Sequence, residues 1–458
     1  MMRRSFYLLR AGWLAGLCLA GAAMTSRADL ISDWNAQALA AIRTETQEGP
    51  EAARALAMLN AAIYNAVEGI AGDHFLYTTG SYTGPAETAV NGASMEAAAA
   101  SAAFTLLQGL YPSLTGDFAV LYSAQLSGMA DDQARLDGMD FGTVVANGIL
   151  NWRTGDGSAG AGNTALYIPA PGGTAGRWQP TVANGEVLPG WGAVTTFGIA
   201  STAGYTGSLP ATIESYIQSA QYAADYNQVK ALGSSSSGTR SADQTNAALF
   251  WAAVAGTGTT AGLWNQVAQT VAASEGLDLQ DSARLFAALN VAMADAAIVT
   301  WDTKYDVDFW SPLLAIVNGA ADGNVDTLGD AAWTALLAEL NSPAYFSEQS
   351  ALSAAAARVL AEFLGDDVAF VLESDVDGDG VADFTRPFDS FSQAAEEAGM
   401  SQIWGGVSYG SAHADAAAAG TAVGDYVVGN YFAPVPEPSG LMLVLVGGVA
   451  WAMRRRRC

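Results

Sequence analysis

Pro50-Glu51-Ala52-Ala53-Arg54-Ala55-Leu56-Ala57-Met58-Leu59-Asn60-Ala61-Ala62-Ile63-Tyr64-Asn65-Ala66-Val67-Glu68-Gly69-Ile70 begins with a proline and an acid, both suited to the first turn of a helix. Leu56, Leu59, Ile63, Val67 and Ile70 then recur at steps of three and four, the stripe of an amphipathic helix. Comparable stripes run over 31–46, 86–110, 115–152, 210–232, 240–254, 279–301, 328–340, 350–364 and 411–428. Sustained strand alternation is absent outside 153–207, so the pattern predicts an all-α, multi-helix bundle. The stretch 153–207 is rich in Gly, Pro and Thr, with aromatics at Tyr167, Trp178, Trp191 and Phe197. A loop of that length is expected to be functional or closely packed. No fixed-period repeat stands out; the helices on either side of the loop are read as two halves of one domain.

The two ends read as processing signals. Arg3-Arg4, the apolar run Ala11–Met24 and the small residues Ser26 and Ala28 form a secretory signal peptide over 1–28. At the other end Pro434-Val435-Pro436-Glu437-Pro438 precedes an apolar run, Leu441–Met453, and then Arg454 to Arg457. The arginines would stay on the cytoplasmic side of a membrane. Residues 434–458 resemble the PEP-CTERM sorting tail read by exosortases, which implies a Gram-negative host, export to the cell envelope or extracellular matrix, and removal of the tail; a simple C-terminal anchor would give nearly the same placement. The domain between is 29–433. Both cysteines, Cys18 and Cys458, lie in the ends, so the core must hold without disulfides. Losing both ends removes eight arginines and one glutamate and takes the net charge from −26 to −33. Lys230 and Lys304 are the only lysines. Such a surface repels nucleic acid and anionic membrane.

Three segments late in the chain carry the chemistry: Trp301-Asp302-Thr303-Lys304 with Trp310-Ser311-Pro312, then Phe346-Ser347-Glu348-Gln349-Ser350, then Ser401-Gln402-Ile403-Trp404-Gly405-Gly406-Val407-Ser408. Their order and spacing resemble the vanadium-dependent haloperoxidases, which share a fold and anion site with the type 2 phosphatidic acid phosphatases. The resemblance extends to the helix around Ala53–Met58, to Arg177–Thr181, Phe250-Trp251 and Ala283–Asn290. Its motifs are Lys-x6-Arg-Pro, Pro-Ser-Gly-His and Ser-Arg-x5-His. They imply a pocket in which cationic forks hold a compact anion, one histidine is nucleophile or vanadium ligand, and another is the acid–base partner.

Position by position, Lys304, Pro312, Ser347 and Ser401 match. Ser311 and Gln402 stand at the arginine positions, Glu348 at the glycine, Gln349 at the acid–base histidine and Ser408 at the nucleophile. With one lysine facing a glutamate, the pocket is not expected to take vanadate, and no catalytic residue set is intact. His413, five residues past Ser408, would point about 140° away on a continuous helix, and His74 reads as a structural or surface residue. The expectation is a non-catalytic, exported member of the fold, acting as a structural or binding protein. The alternative is a phosphatase or peroxidase rebuilt around Lys304, Ser347 and Ser408. Expected partners are the Sec machinery and an exosortase during export, then extracellular polysaccharide or matrix.

Asp375-Val376-Asp377-Gly378-Asp379-Gly380-Val381-Ala382-Asp383 places acids at loop positions 1, 3, 5 and 9 with glycine at 6, the spacing of a calcium loop. Asp375, Asp377, Asp379, the Val381 carbonyl and Asp383 are the candidate ligands for calcium. Position 12 is Arg386, so a further acid such as Glu373 or Asp389 would be needed; the other reading is a solvated acidic turn.

Overall fold

The computed structural model describes residues 29–79, 82–84, 92–209, 212–379 and 381–436. The segment read as a signal peptide, Gly380, and the part of the expected sorting tail beyond Pro436 lie outside them. Fourteen α-helices and one two-stranded hairpin are present among the described residues, so the all-α expectation holds. A single apolar core runs from Leu30 to Phe432.

Its plan is a duplication. Helix α1 (Asp29–Thr44) carries Trp34 and Asn35, and α9 (Thr259–Glu275) carries Trp264 and Asn265 at the same interval of 230 positions. Ala53, Arg54, Ala57, Leu59 and Asn60 of α2 (Gly49–Ala71) recur at that interval as Ala283, Arg284, Ala287, Leu289 and Asn290 of α10 (Leu279–Val307). Asn35 and Asn60 exchange side-chain hydrogen bonds of 3.1 and 2.9 Å; Asn265 and Asn290 exchange bonds of 2.7 and 2.9 Å. Reciprocal amides satisfy each other in a dry interface, where an unpaired one would be costly.

Each half continues with a helix capped by serine. Ser94 caps α3 (Met95–Leu110) and Ser347 caps α12 (Glu348–Leu364), each accepting from the backbone N–H three residues on. Glycine then allows the next helix to close in. A Cβ on Gly142 of α5 (Gln133–Arg153) would fall 2.1 Å from the Ala98 carbonyl oxygen, and one on Gly420 of α14 (Gly410–Asn430) 2.0 Å from that of Ala351. Helices α2 and α10 pack together at the centre. The sequence reading missed this repeat because its long interval leaves no short period to see.

The long loop 153–207 is nailed to those central helices. Asp295 of α10 is fully buried and accepts from the N–H groups of Phe197, Gly198 and Ile199 at 2.6, 2.7 and 2.8 Å. Burial pushes its carboxyl up to about 6, against the pull of those three donors. Arg153 and Arg54 both reach Asp156, each at 2.8 Å. His74 pairs with Glu68 at 3.1 Å and forms a bridge with Pro434, a structural role as expected.

The structure corrects several helix expectations. The span 115–152 is two helices, α4 (Thr115–Ser127) and α5, because Asp132 caps a new start. The span 210–232 divides likewise into α6 (Ile213–Ile217) and α7 (Ala220–Leu232), the second capped by Ser219. The span 328–340 is not helical. Its backbone pairs outward instead, with Leu336 N donating to Gly233 O and Leu337 N to Gly405 O, both at 2.9 Å. Four elements had not been expected: α9, the short helix α11 (Pro312–Val317), α13 (Phe391–Trp404), and the hairpin of β1 (Phe370–Ser374) and β2 (Phe384–Phe388), antiparallel with Leu372 opposite Arg386.

Candidate functional site

The three motif segments arrive on separate elements and meet at one cavity of about 370 Å³. Lys304 comes from the last turn of α10, Ser311 caps the short helix α11 (Pro312–Val317), Ser347, Glu348 and Gln349 form the start of α12, and Gln402 and Ser408 flank the turn between α13 and α14. All seven of these positions line the cavity. Two further walls are the strap Trp251–Ala255 and the non-helical stretch Leu337–Ala344.

Each side chain has a definite partner or a definite lack of one. Lys304 is buried and donates to the Pro343 carbonyl at 2.7 Å. Ser311 accepts from Leu314 N as a helix cap and donates to Glu339 at 3.0 Å; Leu313 N donates to the other Glu339 oxygen at 3.1 Å. Gln402 donates to Ser401, which donates to the Ala398 carbonyl. Gln349 accepts from Thr260 through its carbonyl, but its amide nitrogen is buried without a partner. The hydroxyls of Ser408 and Ser342 and one Glu348 oxygen are likewise buried and unpartnered. Glu348 fits only because α2 begins with glycine: a Cβ on Gly49 would fall 1.9 Å from that oxygen.

Electrostatically the cavity is acidic. Lys304 is the only cationic side chain among the described residues that line it, and Glu48, Glu339 and Glu348 stand around it. Burial pulls the Lys304 ammonium down, with Glu348 opposing. Burial pushes Glu348 up, Lys304 opposes and Glu48 adds to the push. Burial also raises Glu339, against its two hydrogen bonds, and raises Glu48, with Glu51 adding to it. Sequence reasoning missed Glu48, Glu339, Ser342 and Thr260. Glu48 sits just before a helix start read as beginning at Pro50, and Glu339 lies in the stretch expected to be helical.

His413 is not on the cavity wall. The chain at Ser408 is not helical and α14 starts at Gly410, so the rotation argued along a continuous helix does not apply. His413 Nδ1 lies 2.9 Å from Ser350 Oγ, Ser350 donates to Ser347 at 2.8 Å, and His413 Nε2 lies 3.4 Å from Glu396.

Across 91% of this chain and 99% of its own, the crystal structure of the first bacterial vanadium-dependent iodoperoxidase superimposes with a TM-score of 0.74 at 24% identity. The fold is that of the vanadium haloperoxidases. A holo-type bacterial vanadium-dependent chloroperoxidase shares it with a TM-score of 0.64 at 14% identity, over 83% of this chain and 92% of that one. Residues 284–435 match the family model described as the VCPO second helical-bundle domain, which takes in the second half of the duplication from Arg284 onward, without α9. The vanadium chloroperoxidase of Curvularia inaequalis is 33% identical over 108 residues, 21% of this chain but only 17% of that protein's length. Vanadate does not fit the residues present in this haloperoxidase-type cavity. An oxyanion needs converging donors and net positive charge, whereas the one ammonium here is spent on a carbonyl and three carboxyls surround it.

In the 375–383 loop, carboxylate oxygens of Asp375, Asp377 and Asp383 lie within 4.8 Å of one another. Asp379 accepts from Val381 N at 2.8 Å. Arg386 turns away from the loop to hold Glu397 through two bonds of 2.8 and 2.6 Å.

Proposed function

We propose that this protein is an exported, envelope- or matrix-sorted member of the haloperoxidase fold that has exchanged oxyanion chemistry for binding. One observation carries the proposal: the positions matching the anion-site motifs still line one cavity, yet they present serine, glutamine and glutamate where the resemblance calls for arginine and histidine. The scaffold that positions the site is intact while the groups that would do chemistry are replaced. Export rests on the signal peptide at 1–28 and the Pro-Glu-Pro tail, and brings with it the Sec machinery, an exosortase and the extracellular matrix as partners. Calcium at Asp375, Asp377 and Asp383 would fasten the hairpin loop; the convergence of three carboxylates supports it.

A second reading, an enzyme rebuilt around Lys304, Ser347 and Ser408, draws on the Ser347–Ser350–His413 hydrogen-bonded path. Three assays on purified mature protein separate the two: calorimetry with orthovanadate, bromide oxidation with peroxide, and phosphomonoester hydrolysis. All three are expected to be silent. Vanadate binding, or turnover that disappears in Ser347→Ala, would establish the enzyme reading instead.

A further inference from the structure

The cavity's unused hydrogen-bonding atoms describe a ligand. Four of the residues that line it each bury a polar atom without a partner: the Gln349 amide nitrogen, the Ser408 and Ser342 hydroxyls, and one oxygen of Glu348. Gln349, Ser408 and Ser342 are 5, 3 and 3% exposed. Buried groups left in that state each cost about 1–3 kcal/mol, so four around one cavity is a built arrangement waiting for a partner.

The kinds of group decide its class. An anion would want donors alone, and the carboxyls of Glu48, Glu339 and Glu348 repel it. A cation would want acceptors alone, but the Gln349 amide nitrogen can only donate and the Lys304 ammonium stands on the same wall. A neutral molecule carrying several hydroxyls meets both demands, because each hydroxyl donates and accepts. It would donate to Glu348, accept from Gln349, and do either with Ser408 and Ser342. The volume of about 370 Å³ is at the small end of the range for ligand pockets and suits one ring. Trp251 and Phe346 supply apolar wall against which the C–H faces of such a ring can lie.

We propose that the cavity binds a neutral sugar unit, free or at the end of a glycan chain. This rests on the binding reading above and names its ligand. The test titrates wild-type protein with D-glucose, D-galactose, D-mannose, N-acetyl-D-glucosamine and maltose by calorimetry and saturation-transfer NMR. Orthophosphate and putrescine serve as charged comparators. At least one sugar is expected to bind with a dissociation constant of about 1 mM or tighter. Gln349→Leu and Ser408→Ala, each checked for an unchanged helical spectrum and melting temperature, should weaken it about tenfold, the loss of one directed hydrogen bond. If both variants bind as wild type does, or if putrescine binds and no sugar does, the sugar assignment is wrong while the binding reading stands. Orthophosphate binding tighter than any sugar would overturn the binding reading itself. Tighter binding by maltose than by glucose identifies a chain end, and equal binding a free monosaccharide.

Discussion

Rebuilding the oxyanion site tests whether charge alone separates this cavity from one that holds vanadate. The obvious set is Ser311→Arg, Glu348→Gly, Gln349→His, Gln402→Arg and Ser408→His, around Lys304. Counting Lys304 and Glu348 alone, those changes would raise the local charge from zero to +3. Glu48 and Glu339 also line the cavity, so the five-fold variant reaches only +1. The new guanidinium at position 311 would moreover pair with Glu339, which the serine already contacts. A sphere of 370 Å³ has a radius of about 4.5 Å. A lining carboxylate then stands roughly 6 Å from a central dianion and repels it by about 5 kcal/mol at an effective dielectric constant of about 20. The carboxyl has a cheaper escape, which is to protonate. From an ordinary glutamate value to pH 7 that costs at most about 3.5 kcal/mol, and burial already raises both groups. The cheaper route sets the penalty, so each residue costs less than about 3.5 kcal/mol. Adding Glu48→Gln and Glu339→Gln should therefore tighten orthovanadate binding by more than about tenfold, and by no more than about 10⁵-fold, over the five-fold variant, measured by calorimetry at pH 7. Equal affinities in the two variants would show that Glu48 and Glu339 do not face the ion. No binding by a folded seven-fold variant would show that the three segments do not build one anion site.

Three further outcomes are expected. Calcium should raise the melting temperature by binding the native loop; Asp377→Ala with Asp383→Ala should abolish the shift, and a shift surviving in that variant rules the loop out. Asp295 has a carboxyl raised to about 6 from 3.8, so the native state holds its proton more tightly; the resulting stability, about 3 kcal/mol, is full below pH 4 and lost as pH rises through 6. Chemical denaturation should show that decline in wild type and a flatter profile between pH 4 and 6 in Asp295→Asn. Mass spectrometry of exported protein should find an N-terminus near Asp29 and no Arg454–Arg457; an intact arginine tail in the medium would count against sorting by cleavage.

Much of the fold was legible because helices announce themselves by period. The stripe from Leu56 to Ile70 becomes α2, and Ala283–Asn290 lies in α10, its partner at the centre. What stayed hidden depends on distant pairing. Leu336 and Leu337 have good helical propensity, yet their N–H groups are taken by Gly233 and Gly405, and tertiary pairing outweighs the few tenths of a kcal/mol that propensity offers. The same blindness hid half of the cavity's charge. The motif segments could be read as a set from their spacing, but Glu339 reaches the site only because the stretch after Asp330 is not a helix. Glu48 reaches it only because α2 begins beside α12.

Which motif positions were kept follows from what else they do. Lys304 ties the end of α10 to Pro343, Pro312 starts α11, Ser347 caps α12, and Ser401 bonds the Ala398 carbonyl within α13. Each of these four matches the resemblance and also holds the scaffold together, so replacing it would cost stability whatever the cavity binds. Glu348, Gln349 and Ser408 stand at replaced positions, and each offers an atom with no protein partner. Ser311 marks the boundary between the two cases: it stands at an arginine position, but its hydroxyl has taken up the capping of α11 and the bond to Glu339. A cap substitution there, Ser311→Ala, removes about 1 kcal/mol of helix stability and also strips Glu339 of a donor. On the binding reading proposed above, the serine at this position is thus held in place by the fold's own hydrogen bonds.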